Sequence, residues 1–101
     1  MAINNNYYVT QLAMNEILEV QFTAMIFPSA SWSDDNQLTA NVGWSVTSKP
    51  LWVTVTPSSG SGSYNLTISV AENLGSQRTG SVVITGVSKT VTISITQDAA
   101  V

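Results

Sequence analysis

A chain of 101 residues has room for one domain with one core. Charged residues make up only 9%, with three basic and six acidic side chains, so no basic patch exists to neutralise phosphates or to grip an anionic membrane surface. Cysteine and histidine are both absent, which excludes disulfides, thiolate nucleophiles, Cys/His zinc sites and histidine bases. The composition therefore points away from an enzyme, a resident cofactor, a metal, a nucleic-acid partner and a membrane partner.

The chain opens on Met1-Ala2-Ile3-Asn4-Asn5-Asn6-Tyr7-Tyr8, and its first basic residue is Lys49. No basic n-region followed by an apolar run is present, so the pattern of a secretory signal is missing. That favours synthesis and retention in a cytoplasm, the alternative being a signal already removed. Residues 1–15 are expected to form an N-terminal arm, with Tyr7 and Tyr8 as docking contacts, and residues 16–101 the folded domain. No apolar run approaches the roughly 18 residues of a membrane helix.

Beyond the arm the pattern is period two. Leu18, Val20, Phe22, Ala24 and Ile26 alternate with Glu19, Gln21 and Thr23, predicting one long strand, although Leu12, Ala13, Ile17 and Val20 also fit a helical face. Asp34-Asp35-Asn36-Gln37 reads as a solvated turn; it lacks the alternating spacing and glycine of a calcium loop. Shorter strand candidates run from Leu38 to Val42 and from Trp44 to Thr47. Leu51, Val53 and Val55 then alternate with Trp52, Thr54 and Thr56, and the stretch Pro57 to Gly62 supplies a turn. Tyr64, Leu66, Ile68 and Val70 form the apolar side of the next strand, and Val82 and Ile84 that of the one after. Gly86-Val87-Ser88-Lys89 suits a hairpin into Thr90–Thr96, where Val91, Ile93 and Ile95 face one side and hydroxyls the other. Serine and threonine total 26 residues and sit largely at such alternating positions, as on wet strand faces rather than in a linker. The prediction is all-β: an antiparallel β-sandwich of about seven strands.

From Trp44 onward the text resembles a known family. Trp44-Ser45-Val46, Leu51-Trp52-Val53-Thr54-Val55-Thr56-Pro57-Ser58-Ser59-Gly60-Ser61-Gly62, Leu66-Thr67-Ile68-Ser69-Val70, Arg78-Thr79-Gly80-Ser81-Val82-Val83-Ile84 and Val91-Thr92-Ile93-Ser94-Ile95-Thr96-Gln97 stand in the order and spacing of BACON domains. These occur mainly in Bacteroidetes and their phages. The resemblance implies an immunoglobulin-like sandwich of about seven strands and a role in binding carbohydrate or mucin.

The tryptophans are the leading candidates, because sugar C–H groups pack on flat aromatic faces while nearby polar groups bond the hydroxyls. Trp44 shares parity with Val46 and is expected in the core. Trp52 shares parity with Thr54 and Thr56, so these three are expected to form an exposed binding surface; the competing reading has Trp52 covering an open end of the sandwich. Trp32 is placed in a loop or short strand as a second contact or a plug. Glu16 and Glu19 lack the cleft that a glycosidase pair needs and are expected as solvent charges. Arg78 is expected to order its loop or to pair with Glu72.

Two roles emerge. One is a non-catalytic decoration protein of a bacteriophage virion, made in the host cytoplasm, with capsid or other virion proteins as partners and glycan adhesion as a possible second property. The other is a carbohydrate-binding accessory module from a secreted or surface protein of Bacteroidetes.

Overall fold

The computed structural model describes residues 15–101, so the expected arm contacts Tyr7 and Tyr8 lie outside the described residues. Among the described residues there are nine strands: β1 (Leu18–Val20), β2 (Ala24–Phe27), β3 (Trp32–Ala40), β4 (Gly43–Ser48), β5 (Val53–Thr56), β6 (Ser59–Ser61), β7 (Tyr64–Val70), β8 (Arg78–Thr85) and β9 (Thr90–Gln97). They form two sheets, in the orders β1-β3-β7-β5 and β2-β9-β8-β4-β6. The fold is an immunoglobulin-like β-sandwich. All pairs are antiparallel except β2 with β9, which run parallel.

The alternation predicted on the strong strands holds. Val53 and Val55 of β5, Leu66, Ile68 and Val70 of β7, Val82 and Ile84 of β8, and Ile93 and Ile95 of β9 are all buried between the sheets. Gly86-Val87-Ser88-Lys89 makes the predicted hairpin, closed by a Gly86 N–H to Lys89 carbonyl bond of 2.8 Å. Trp44 is buried as expected, and its indole Nε1 donates to the Gly62 carbonyl at 2.8 Å.

Four expectations need correction. The single strand over 18–26 is two strands in different sheets. Leu18 is buried, but across residues 21–23 the chain changes sheets and the parity inverts: Met25 and Phe27 point inward while Ile26 is 75% exposed. The crossing is fastened by Asn36 on β3, whose side chain accepts the Phe22 N–H at 3.1 Å and donates to the Phe22 carbonyl at 2.8 Å. A fully buried amide thus satisfies a backbone segment that belongs to neither sheet. Second, Asp34–Gln37 is not a turn but the middle of nine-residue β3. Third, Ser59–Ser61 forms the short strand β6 within what reads as turn text, pairing with β4. Fourth, Leu51 is fully exposed: the Val53 N–H bonds the Pro50 carbonyl at 3.2 Å, closing a turn with Leu51 at its corner.

Glu16 is also not a solvent charge. It is buried, and its carboxylate accepts the backbone N–H groups of Val87, Ser88 and Lys89 and the Ser88 hydroxyl, at 2.7–3.3 Å. The residue just before β1 thus clamps the β8–β9 hairpin. The Ser88 hydroxyl is the largest influence on this carboxyl; burial opposes it, and the three backbone donors join in holding its pKa below the usual glutamate value. A depressed carboxyl contributes stability at pH values above the unfolded-state pKa, and that contribution disappears as pH falls through the folded-state value. The melting-temperature gap between wild type and Glu16→Gln should therefore be widest at neutral pH and narrow progressively as the pH falls below about 4. Melting curves over the acid range check it; a gap that does not narrow at all on acidification would assign the clamp to neutral hydrogen bonding.

Candidate functional site

The chain enters the described domain at one pole of the sandwich, beside the β8–β9 hairpin, and ends at the other. The connections β2–β3, β4–β5 and β7–β8 gather at the second pole. Two of the tryptophans are here.

Trp52 does not form the expected open platform. The turn from Pro50 to Val53 takes it off the β5 alternation, and it is half-buried against the core. It faces Gly80 of β8, in the opposite sheet, whose partner on β9 is buried Ile95. A Cβ on Gly80 would collide with the Pro50 ring and lie 3.4 Å from Trp52 Cζ2. Above the indole lies the Arg78 guanidinium, 4.4 Å from the ring centroid. Trp52 therefore covers the end of the sandwich, the competing reading of the sequence. Gly80→Ala should cost about 1–3 kcal/mol of stability through overpacking, measurable by denaturant unfolding; an unchanged midpoint would show that Pro50 yields freely.

Arg78 orders its loop mainly through backbone groups. Its Nε donates to Gln97 Oε1 at 2.8 Å, and its Nη2 to the carbonyls of Ala71 at 3.1 Å and Glu72 at 3.4 Å. The expected partner Glu72 is met at its backbone. Gln97, fully buried, donates through Nε2 to the carbonyls of Pro28, Ser29 and Ala71 at 3.1, 3.3 and 2.8 Å. Asn73 completes the set: its Nδ2 donates to the carbonyls of Ser76 and Asp98, both at 2.9 Å. The β2–β3 and β7–β8 loops and the end of β9 are thus tied into one rigid pole by side chains that donate to their carbonyls.

Trp32 is the exposed aromatic of this pole. It opens β3 opposite Val70 of β7. By alternation it shares a side with buried Asn36 and Leu38, yet it is 55% exposed at the end of the strand. A shallow open groove of about 540 Å³ beside it is lined by Ser31, Trp32, Ser33, Ser69 and Val70. The Ser33 and Ser69 hydroxyls are hydrogen-bonded at 2.7 Å.

These serines belong to a polar lattice on the outer face of the four-stranded sheet. Register places Thr54, Ser69 and Ser33 in one row and Thr56, Thr67 and Asp35 in the next. The spacing across a row is about 4.8 Å per strand. The structure therefore brings Thr54 and Thr56, both exposed, onto the same sheet as Trp32, two strands away, and removes Trp52 from that surface. Ser33, Asp35, Thr67 and Ser69 were missed as site residues. Their signal was present: Asp35, Gln37 and Thr39 alternate with Asn36, Leu38 and Ala40, once Asp34–Gln37 is no longer taken for a turn.

Among the described residues, no three carboxylate, cysteine or histidine side chains converge as metal ligands, and no helix is long and apolar enough to cross a membrane. The lattice can hydrogen-bond hydroxyls and amides, and Trp32 can stack an apolar face.

A family model described as "Putative binding domain, N-terminal" matches residues 42–98. No curated protein matches the sequence. The fold is similar to part of the Bacteroides ovatus GH5 xyloglucanase solved in complex with a XXXG heptasaccharide, with a TM-score of 0.77 and 20% identity, covering 83% of this chain and 19% of that one. It is also similar to a Bacteroides thetaiotaomicron protein solved by NMR, with a TM-score of 0.60 and 12% identity over 82% of this chain and 87% of that one. A third match is WR4, a member of the MSP family from C. elegans, with a TM-score of 0.57 and 14% identity over 85% of this chain and all of that one. This chain thus spans about a fifth of the xyloglucanase. At these identities the likenesses establish the fold. The comparisons lend no support to a virion role or to capsid partners.

Proposed function

The chain belongs to the BACON family, whose model matches residues 42–98 and is described as a binding domain, and from that premise we propose that it is a non-catalytic carbohydrate-binding accessory module. The observation that carries the reading is exposed Trp32 beside a groove of serine hydroxyls, on a pole made rigid by buried polar side chains. A rigid support keeps the entropy cost of binding low, since little of the surface must be ordered when ligand arrives. Trp32 would stack on a sugar ring, Ser33 and Ser69 would bond its hydroxyls, and Thr54 and Thr56 would extend the surface across β7. Trp52 would act from below, holding the pole in shape. Support comes also from the xyloglucanase: a domain of this fold occurs within an enzyme that acts on a glycan. A secreted or cell-surface setting follows from the same reading.

A glycan-binding screen on wild type, Trp32→Ala and Trp52→Ala tests it. Trp32→Ala should lose binding while its melting temperature stays within a degree or two of wild type, because an exposed side chain contributes little to stability. Trp52→Ala should instead lower the melting temperature. Binding that survives Trp32→Ala unchanged would move the site off this pole, and a well-folded wild type that binds no glycan would refute the reading.

A further inference from the structure

The charge distribution of the same pole discriminates among glycans. The strands of the four-stranded sheet carry three carboxylates, Glu19, Asp34 and Asp35, and no lysine or arginine. Asp34 lies two residues from Trp32, about 7 Å along the strand. Asp35 lies in the row of Thr67, whose hydroxyl is 3.5 Å from Asp35 Oδ1. The two cations of this pole sit on its other side and are engaged there. Lys49 donates its ammonium to the Val53 carbonyl of β5 at 2.8 Å. Arg78 keeps its charge but is held across β7 from Trp32, by Gln97 and the Ala71 and Glu72 carbonyls, over Trp52.

An anionic group held at Trp32 would therefore lie within about a Debye length of two carboxylates at physiological salt, one on each side of β3, with no cation on its own strands. A neutral sugar meets no such repulsion, and carboxylate oxygens are good acceptors for its hydroxyls. Discrimination of this kind works by repelling the wrong ligand rather than by adding contacts to the right one.

We infer that the groove at Trp32 selects neutral, hydroxyl-rich glycans and rejects those bearing sialic acid, uronic acid or sulfate, with Asp34 and Asp35 as the selectivity residues. This rests on the carbohydrate reading above. Asparagine keeps the size of aspartate and an acceptor oxygen, so Asp34→Asn/Asp35→Asn removes charge with little change in shape. The Asp35 N–H bond to Asp34 Oδ1, 3.0 Å, survives in that variant.

The test is a titration of wild type and the double variant with a sialylated mucin-type O-glycan, with the same glycan after sialidase treatment, and with a panel of neutral oligosaccharides. Wild type should bind the desialylated form roughly tenfold or more tightly than the sialylated one. In the double variant that gap should shrink about three- to tenfold, and added salt should narrow it in wild type. Equal or tighter binding of the sialylated form by wild type, or an unchanged gap in the variant, overturns the selectivity and leaves carbohydrate binding standing. A wild type that binds none of these glycans overturns the carbohydrate reading and this inference together.

Discussion

Replacing Trp44 with alanine should lower the unfolding free energy by about 3–5 kcal/mol, the usual cost of emptying a buried aromatic site. The ring is 4% exposed and packs so closely on Gly60 of β6 that a Cβ there would come within 2.9 Å of Cζ2. Its neighbour β6 is three residues of serine and glycine with no apolar side chain of its own. Trp44 is what holds that edge strand to the core. The cavity left by alanine would cost dispersion contacts, and the Gly62 carbonyl would lose its donor. Trp44→Phe separates the two contributions: it keeps most of the apolar area and should cost about 1–2 kcal/mol beyond any repacking, for the lost hydrogen bond. Urea unfolding of both variants measures this. A loss for alanine below about 1 kcal/mol would mean that β6 contributes nothing to the cooperative unit.

Gln97→Leu should destabilise the domain by about 3 kcal/mol or more, although it replaces a polar side chain with an apolar one of similar size in a fully buried site. Hydrophobic burial favours leucine. The opposing term is larger because two of the four groups Gln97 serves, the Pro28 carbonyl and the charged Arg78 Nε, have no other partner among the described residues, whereas the Ala71 carbonyl keeps Arg78 Nη2 and the Ser29 carbonyl keeps the Asn73 N–H. Each buried group left without a partner costs about 1–3 kcal/mol, and a charged donor costs more. Gln97→Glu tests the same geometry from the other side. It retains an acceptor for Arg78 but turns a carboxylate oxygen toward three carbonyls, so it should be destabilised at neutral pH and partly rescued on acidification. A Gln97→Leu protein as stable as wild type would show that water or loop motion satisfies the carbonyls, and the rigidity assigned to this pole would fall. If the loss is as expected, binding by stable pole variants such as Trp32→Ala can be read as surface chemistry alone.

Much of the fold was legible in the residues. Val91, Ile93 and Ile95 alternate with Thr90, Thr92, Ser94 and Thr96, and a strand with one wet face has no other way to be written. The same held for β5, β7 and β8, and for the hairpin at Gly86–Lys89. Alternation is a local property of the chain, so the residues alone carry the fold class, most strand faces, the burial of Trp44 and the lack of cysteine and histidine chemistry.

The remainder lay in contacts between distant residues, which no local pattern encodes. Leu18 to Ile26 keeps its alternation in text, yet the chain changes sheets midway, and only Asn36, fourteen positions from Phe22, makes that crossing satisfiable. Trp52 follows the parity of Thr54 on paper, but the turn closed by Pro50 and the missing side chain at Gly80 turn it against the core. Glu16 looked like a solvent charge until the hairpin some 70 residues later supplied four donors. The candidate site moved for the same reason: Ser33 and Ser69 are 36 positions apart and become neighbours only through the β3–β7 register. Period and propensity report which side of a strand is apolar; the partner sheet decides which apolar or polar side it covers, and where its cover ends Trp32 is left in water.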